Sequence, residues 1–112
     1  SSAASDVYKR QGAYYAEYRH GVADPDICHA ICYHTTGCPD MNLIDMIVYV
    51  ADYIEPNRDK APRLPYFREL AFRDIKQCTY EILENTIEYV RSKNGTIDET
   101  TVKAYESLKA KM

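Results

Sequence analysis

Apolar positions along this chain recur at helical spacing, and no stretch alternates as a half-buried strand would. Asp24-Pro25 opens a well-marked helix, with aspartate as N-cap, proline in the first turn, and Ile27, Ala30 and Ile31 as one apolar stripe. The pattern ends that helix near Thr35-Thr36-Gly37, where glycine can take a left-handed conformation. Asn42 is placed to cap a second helix, with Asp45 in its acidic first turn and its end near Ile54, before Pro56. A loop rich in proline and charge follows, from Asn57 to Pro65. One long amphipathic helix is then expected from about Tyr66 to Lys93, with Leu70, Ile75, Cys78, Ile82, Leu83, Ile87 and Val90 facing inward. Asn94-Gly95 breaks it, and a last helix from about Glu99 carries Val102, Tyr105 and Leu108. Upstream, Gly12 to Tyr18 reads as a short aromatic-rich helical turn closed by Gly21. The expected fold class is all-α.

The second helix breaks the amphipathic rule. Ile44, Met46, Ile47, Val48, Tyr49, Val50, Ala51, Tyr53 and Ile54 leave it almost no polar face. A helix apolar all round is normally central, covered on most sides. The remaining helices are too few and too short to cover it, so partners outside this stretch are expected.

Composition narrows the class. With 112 residues the chain can hold one small domain, and 46% apolar with 28% charged residues marks it as globular rather than disordered. A net charge of -3 speaks against a nucleic-acid polymer as partner. No apolar run approaches the ~20 residues of a membrane span, and no apolar core of a signal peptide follows the first basic residues, so a cytoplasmic protein without a membrane partner is expected. Cys28, Cys32, Cys38 and Cys78 form no C-x-x-C pair, and reduced thiols are the expectation. A zinc site built from Cys28, Cys32, Cys38 and a histidine would lack a second close ligand pair. Residues 1–11 have no clean period and resemble translated sequencing-adapter sequence, so they are expected to lie outside the fold.

Two motifs carry candidate chemistry. Tyr33-His34-Thr35-Thr36-Gly37 puts a histidine at a helix end beside two hydroxyls. Ala51-Asp52-Tyr53-Ile54-Glu55-Pro56-Asn57-Arg58 puts a carboxylate inside an apolar helix, where it is costly unless a cation or several donors satisfy it. Imidazole and carboxylate suit a hydrolytic transition metal. On the residues alone, His34 could equally cap a helix C-terminus and Asp52 pair with a lysine or arginine. His20 and His29 read as surface or partly packed histidines, and Tyr14, Tyr49 and Tyr89 as helix packing rather than base-stacking platforms.

The YHTTG block at 33–37, the ADYIEPNR block at 51–58, Arg68-Glu69-Leu70-Ala71 and Gly95-Thr96-Ile97 resemble the C-terminal hallmarks of the YqeK-type HD-superfamily phosphohydrolases. The likeness runs from Gly12 to about Leu108 and implies that residues 12–112 are the C-terminal part of a helical HD domain. It implies a parent enzyme that hydrolyses diadenosine tetraphosphate symmetrically to two ADP, at a di-metal centre usually described as iron. By position, His34 and Asp52 match metal ligands, and Arg58 matches a phosphate contact. Gly95 to Thr101 matches a lid near the nucleotide, with Gly95 and Thr101 as substrate-binding candidates. Asp98-Glu99 replaces the family's usual His-Pro, and Cys38 stands where a basic residue is common. The family's other metal ligands would precede Gly12, so this chain alone is expected to be inactive. Dinucleoside polyphosphate or ADP is the implied ligand, and a homodimer stays open. The competing reading is a non-enzymatic helical module that binds a nucleotide or a protein.

Overall fold

A computed structural model describes residues 24–56 and 63–112 of the chain. They form five α-helices: α1 (Pro25–Cys32), α2 (Leu43–Tyr53), α3 (Leu64–Arg73), α4 (Ile75–Ser92) and α5 (Glu99–Lys109). The described residues contain no strand, as the apolar spacing predicts. The expected helical turn at Gly12–Tyr18 and the adapter-like stretch 1–11 lie outside the described residues.

Local chemistry sets the helix ends. The Asp24 side chain accepts from the Asp26 N–H at 2.9 Å, and Pro25 follows it into the first turn. At α2 the cap is reciprocal. Asn42 Oδ1 accepts from the Asp45 N–H at 2.8 Å, while Asp45 Oδ2 accepts from the Asn42 N–H at 3.0 Å. After α1, Gly37 takes φ +74° and donates its N–H to the Tyr33 carbonyl at 2.8 Å. A Cβ at Gly37 would sit 3.2 Å from the Ala104 Cβ, so the glycine also lets this turn lie directly on α5.

The single long helix expected over 66–93 is two helices. Asp74 adopts φ −157°, ψ 94°, ends α3, and N-caps α4 by accepting from the Gln77 N–H at 3.1 Å. The apolar period survives the break because α3 and α4 pack on each other and share one interior.

Helix α4 is the hub, touching α2, α3 and α5, while α1 packs on α2. Phe67 and Leu70 of α3, Cys78, Ile82 and Leu83 of α4, Ala104 and Leu108 of α5, and Tyr49 and Val50 of α2 make the core. Tyr49 is buried and hydrogen-bonded to Thr86, and burial pushes its phenol above the ordinary tyrosine range. Tyr89 departs from expectation. It lies on the outer face of α4 and is 56% exposed, with Lys93 Nζ 5.9 Å from its ring centroid. Arg68 of α3 closes the C-terminal end of α2, donating from Nε to the Ile54 carbonyl and from Nη2 to the Glu55 carbonyl, both at 3.1 Å.

Candidate functional site

The packing of α1 on α2 leaves one face of α2 uncovered among the described residues. Leu43, Ile47 and Ala51 recur every four residues along it and are all exposed, Leu43 to 57% and Ile47 to 48%. Ile27 of α1, expected to face inward, is 39% exposed. Beside this stripe lies an open groove of about 470 Å³ lined by Ile31, His34, Ile47, Val48, Ala51 and Asp52. His34 and Asp52, the two residues that the motifs single out as candidate metal ligands, are the polar side chains that line it among the described residues.

His34 sits in the turn that leaves α1. Its Nδ1 lies 2.5 Å from the Ile31 carbonyl, which can only accept, so Nδ1 carries the proton. In the neutral ring Nε2 is then the nitrogen with a lone pair. A backbone carbonyl that fixes the tautomer in this way is the usual support of a metal-binding histidine. Asp52 stands half-buried in the last turn of α2, ahead of the end that Arg68 closes. Its turn is therefore held from a second helix.

Of the remaining candidates, the two that are described, Gly95 and Thr101, do not line this groove. Arg58 lies outside the described residues. Gly95 is exposed after α4 and donates its N–H to the Val90 carbonyl at 2.9 Å. Thr101 is buried in the first turn of α5, 5% exposed. Asp98 N-caps α5 by accepting from the Thr100 N–H at 2.8 Å.

A second group of metal-capable side chains stands apart from the groove: His29, Cys38 and Asp45, whose ligand atoms lie within 4.8 Å of one another. Sequence spacing offered His29 as a surface or partly packed residue. In the structure its Nδ1 is 2.8 Å from Asp45 Oδ1.

No family model matches the chain. Among curated proteins it is 41% identical over 97 residues to the symmetrical bis(5'-nucleosyl)-tetraphosphatase of Bacillus subtilis, covering 87% of this chain and 52% of that protein. A protein of the same name from Halalkalibacterium halodurans is 40% identical, over 87% of this chain and 51% of its own length. Among solved structures, an HD superfamily hydrolase from Clostridium acetobutylicum, described as involved in NAD metabolism, superposes with TM-score 0.84 at 34% identity. That match covers 93% of this chain and 55% of the other. The all-α fold is thus shared with an HD hydrolase, and the likeness read from the motifs is borne out by homologues of that name. The chain spans about half the length of the curated relatives it matches.

Proposed function

From homology with about half of a YqeK-type symmetrical bis(5'-nucleosyl)-tetraphosphatase, we propose that residues 12–112 are the C-terminal part of an enzyme that hydrolyses diadenosine tetraphosphate to two ADP. In this reading His34 and Asp52 each give one ligand to a divalent di-metal centre, with iron as the metal. One observation carries it: side chains from two different segments meet on a single groove, with the His34 tautomer already set for ligation through Nε2.

The donor set suits a hydrolytic metal, since imidazole nitrogen and carboxylate oxygen are common ligands of such ions. Two donors fall short of the about three protein ligands that catalytic metal sites use. We place the missing ligands in the part of the relatives' length that this chain does not span, which would cover the stripe Leu43–Ile47–Ala51. The bound metal supplies Lewis-acid stabilisation of phosphoryl charge. The Ile31 carbonyl holds the His34 ring. Arg68 fixes the turn that carries Asp52. Arg58 offers a planar guanidinium that can grip a phosphate through two parallel hydrogen bonds.

The chain alone is then inactive. Incubated with diadenosine tetraphosphate and iron or manganese, it should release no more ADP than its His34→Ala variant. With the upstream half of its reading frame restored, ADP should appear and should vanish in His34→Ala and in Asp52→Ala. Turnover by the chain alone that depends on His34 refutes the division of ligands. A restored enzyme indifferent to both substitutions refutes the ligand assignment.

A further inference from the structure

We propose that His29, Cys38 and Asp45 form a structural site for a zinc-like divalent cation, separate from the groove that holds His34 and Asp52. None of the three lines that groove. They come from α1, from the loop after Gly37, and from the first turn of α2, so an ion held by all three would pin these segments together.

The donor atoms already lie within 4.8 Å of one another. A tetrahedral zinc site, with metal–ligand distances of about 2.0–2.3 Å, brings its donors to roughly 3.3–3.7 Å from one another. The widest separation must therefore close by about 1 Å, and the 2.8 Å pair of His29 Nδ1 and Asp45 Oδ1 must open slightly. His29 can make that adjustment, because its side chain is 45% exposed at the end of α1. Cys38 and Asp45 are buried, 4% and 3% exposed. Asp45 is fixed further by its second oxygen, which accepts from the Asn42 N–H.

The chemistry of the set favours zinc over magnesium or calcium, because a thiolate and an imidazole are softer donors than those hard ions take. Binding balances as follows. Cys38 gives up its thiol proton to solvent, and the imidazole, ligating through Nδ1, carries its one proton on Nε2. Thiolate, carboxylate and neutral imidazole then surround a doubly charged ion, leaving the site neutral. Without the ion, burial first and the neighbouring Asp45 carboxylate second push the Cys38 thiol up to about 12, so it stays protonated. A cation removes both causes of that penalty. The fourth position is left to water entering beside His29.

Cobalt and zinc titrations of the 112-residue chain test this. The chain should bind Co2+ with a thiolate-to-cobalt charge-transfer band, and Zn2+ should displace it. Cys38→Ala should abolish the band. Asp45→Asn keeps an oxygen for the helix cap, so the fold is retained, and it should weaken binding by at least the about 10–100-fold that loss of even a supporting partner costs. The His34→Ala/Asp52→Ala double variant and Cys28→Ser should keep the band. In the unsubstituted chain, Zn2+ should slow alkylation of Cys38, a measurement that needs no variant. Absence of the band and of thiol protection in the unsubstituted chain overturns the proposal. So does a band that survives Cys38→Ala, or one that is lost with His34 and Asp52.

Discussion

The exposed stripe on α2 permits a test that separates folding of the chain from its completion by a partner. Leu43 is 57% and Ile47 48% exposed, on a helix whose other side reaches the core through Tyr49 and Val50. Full burial of a leucine or isoleucine side chain is worth about 1.5–3 kcal/mol. Covering the exposed half of each would therefore contribute about 1 kcal/mol, and Ile27 adds a similar amount, for about 3 kcal/mol in all. The double substitution Leu43→Glu/Ile47→Lys removes the larger part of that gain. It should cost the chain itself little, because both positions face solvent, glutamate suits a helix N-terminus, and glutamate four residues before lysine is a favourable pair. The expected change in its own stability is within about 0.5 kcal/mol.

The unsubstituted chain should show helical far-UV dichroism, bind a hydrophobic dye and self-associate, since a contiguous apolar face is left open. The double variant should keep the helical signal while dye binding and self-association fall. Its affinity for the upstream half, measured by titration, should drop roughly 30-fold, the equivalent of about 2 kcal/mol. A dye-silent, monomeric unsubstituted chain with a cooperative melt would refute the reasoning, because the described helices would then already complete their core. An unchanged affinity in the double variant would show that the upstream half docks elsewhere.

Other outcomes follow from single residues. In the restored enzyme, Arg58→Ala should lower kcat/KM for diadenosine tetraphosphate, with Arg58→Lys intermediate because lysine keeps the charge and loses the planar fork; an unaffected Arg58→Ala enzyme removes the phosphate role. Gly37→Ala should destabilise the chain by about 1–2 kcal/mol from the left-handed φ alone, with more from the 3.2 Å approach to Ala104, as read by denaturant unfolding. In the chain kept free of metal by a chelator, burial raises the folded-state thiols of Cys38 and Cys78 to about 12 and about 11 from 9.0. The unfolded chain therefore ionises first as pH rises, and the stability these thiols contribute, whole below pH 9, is lost between about pH 9 and 12. Thermal melts should fall across that window, less steeply in Cys38→Ala.

The helix caps were legible because they are local. The Asp24 and Asn42 caps and the left-handed Gly37 each depend on residues within one turn and form as expected, although α1 ends at Cys32, ahead of the Thr35–Gly37 turn, and the reciprocal bond of Asp45 goes beyond the expectation. The break at Asp74 was hidden by an apolar period that runs through it unchanged. Its signal was nevertheless present: an aspartate three residues before Gln77 is an N-terminal capping pattern. Tyr89 stands exposed where packing is expected, because periodicity gives a face without saying whether a neighbour covers it. The His29–Cys38–Asp45 trio lay beyond reach for a different reason. Its members meet only because Gly37 turns the chain back onto α5 and α1 packs on the start of α2.

The apolar excess of α2 and the ligand-like pair His34 and Asp52 entered as separate sequence features. The structure places them side by side, since Ile47 and Ala51 belong both to the exposed stripe and to the wall of the groove. Any element that buries the stripe must therefore approach both polar residues closely. A cover that carried further metal ligands would thereby bring them beside His34 and Asp52. In the proposed enzyme, completing the core and completing the ligand set are thus one event. On that proposal, the scant polar surface of α2 has a reason: the face left uncovered among the described residues would be the one that the ligand-bearing part covers.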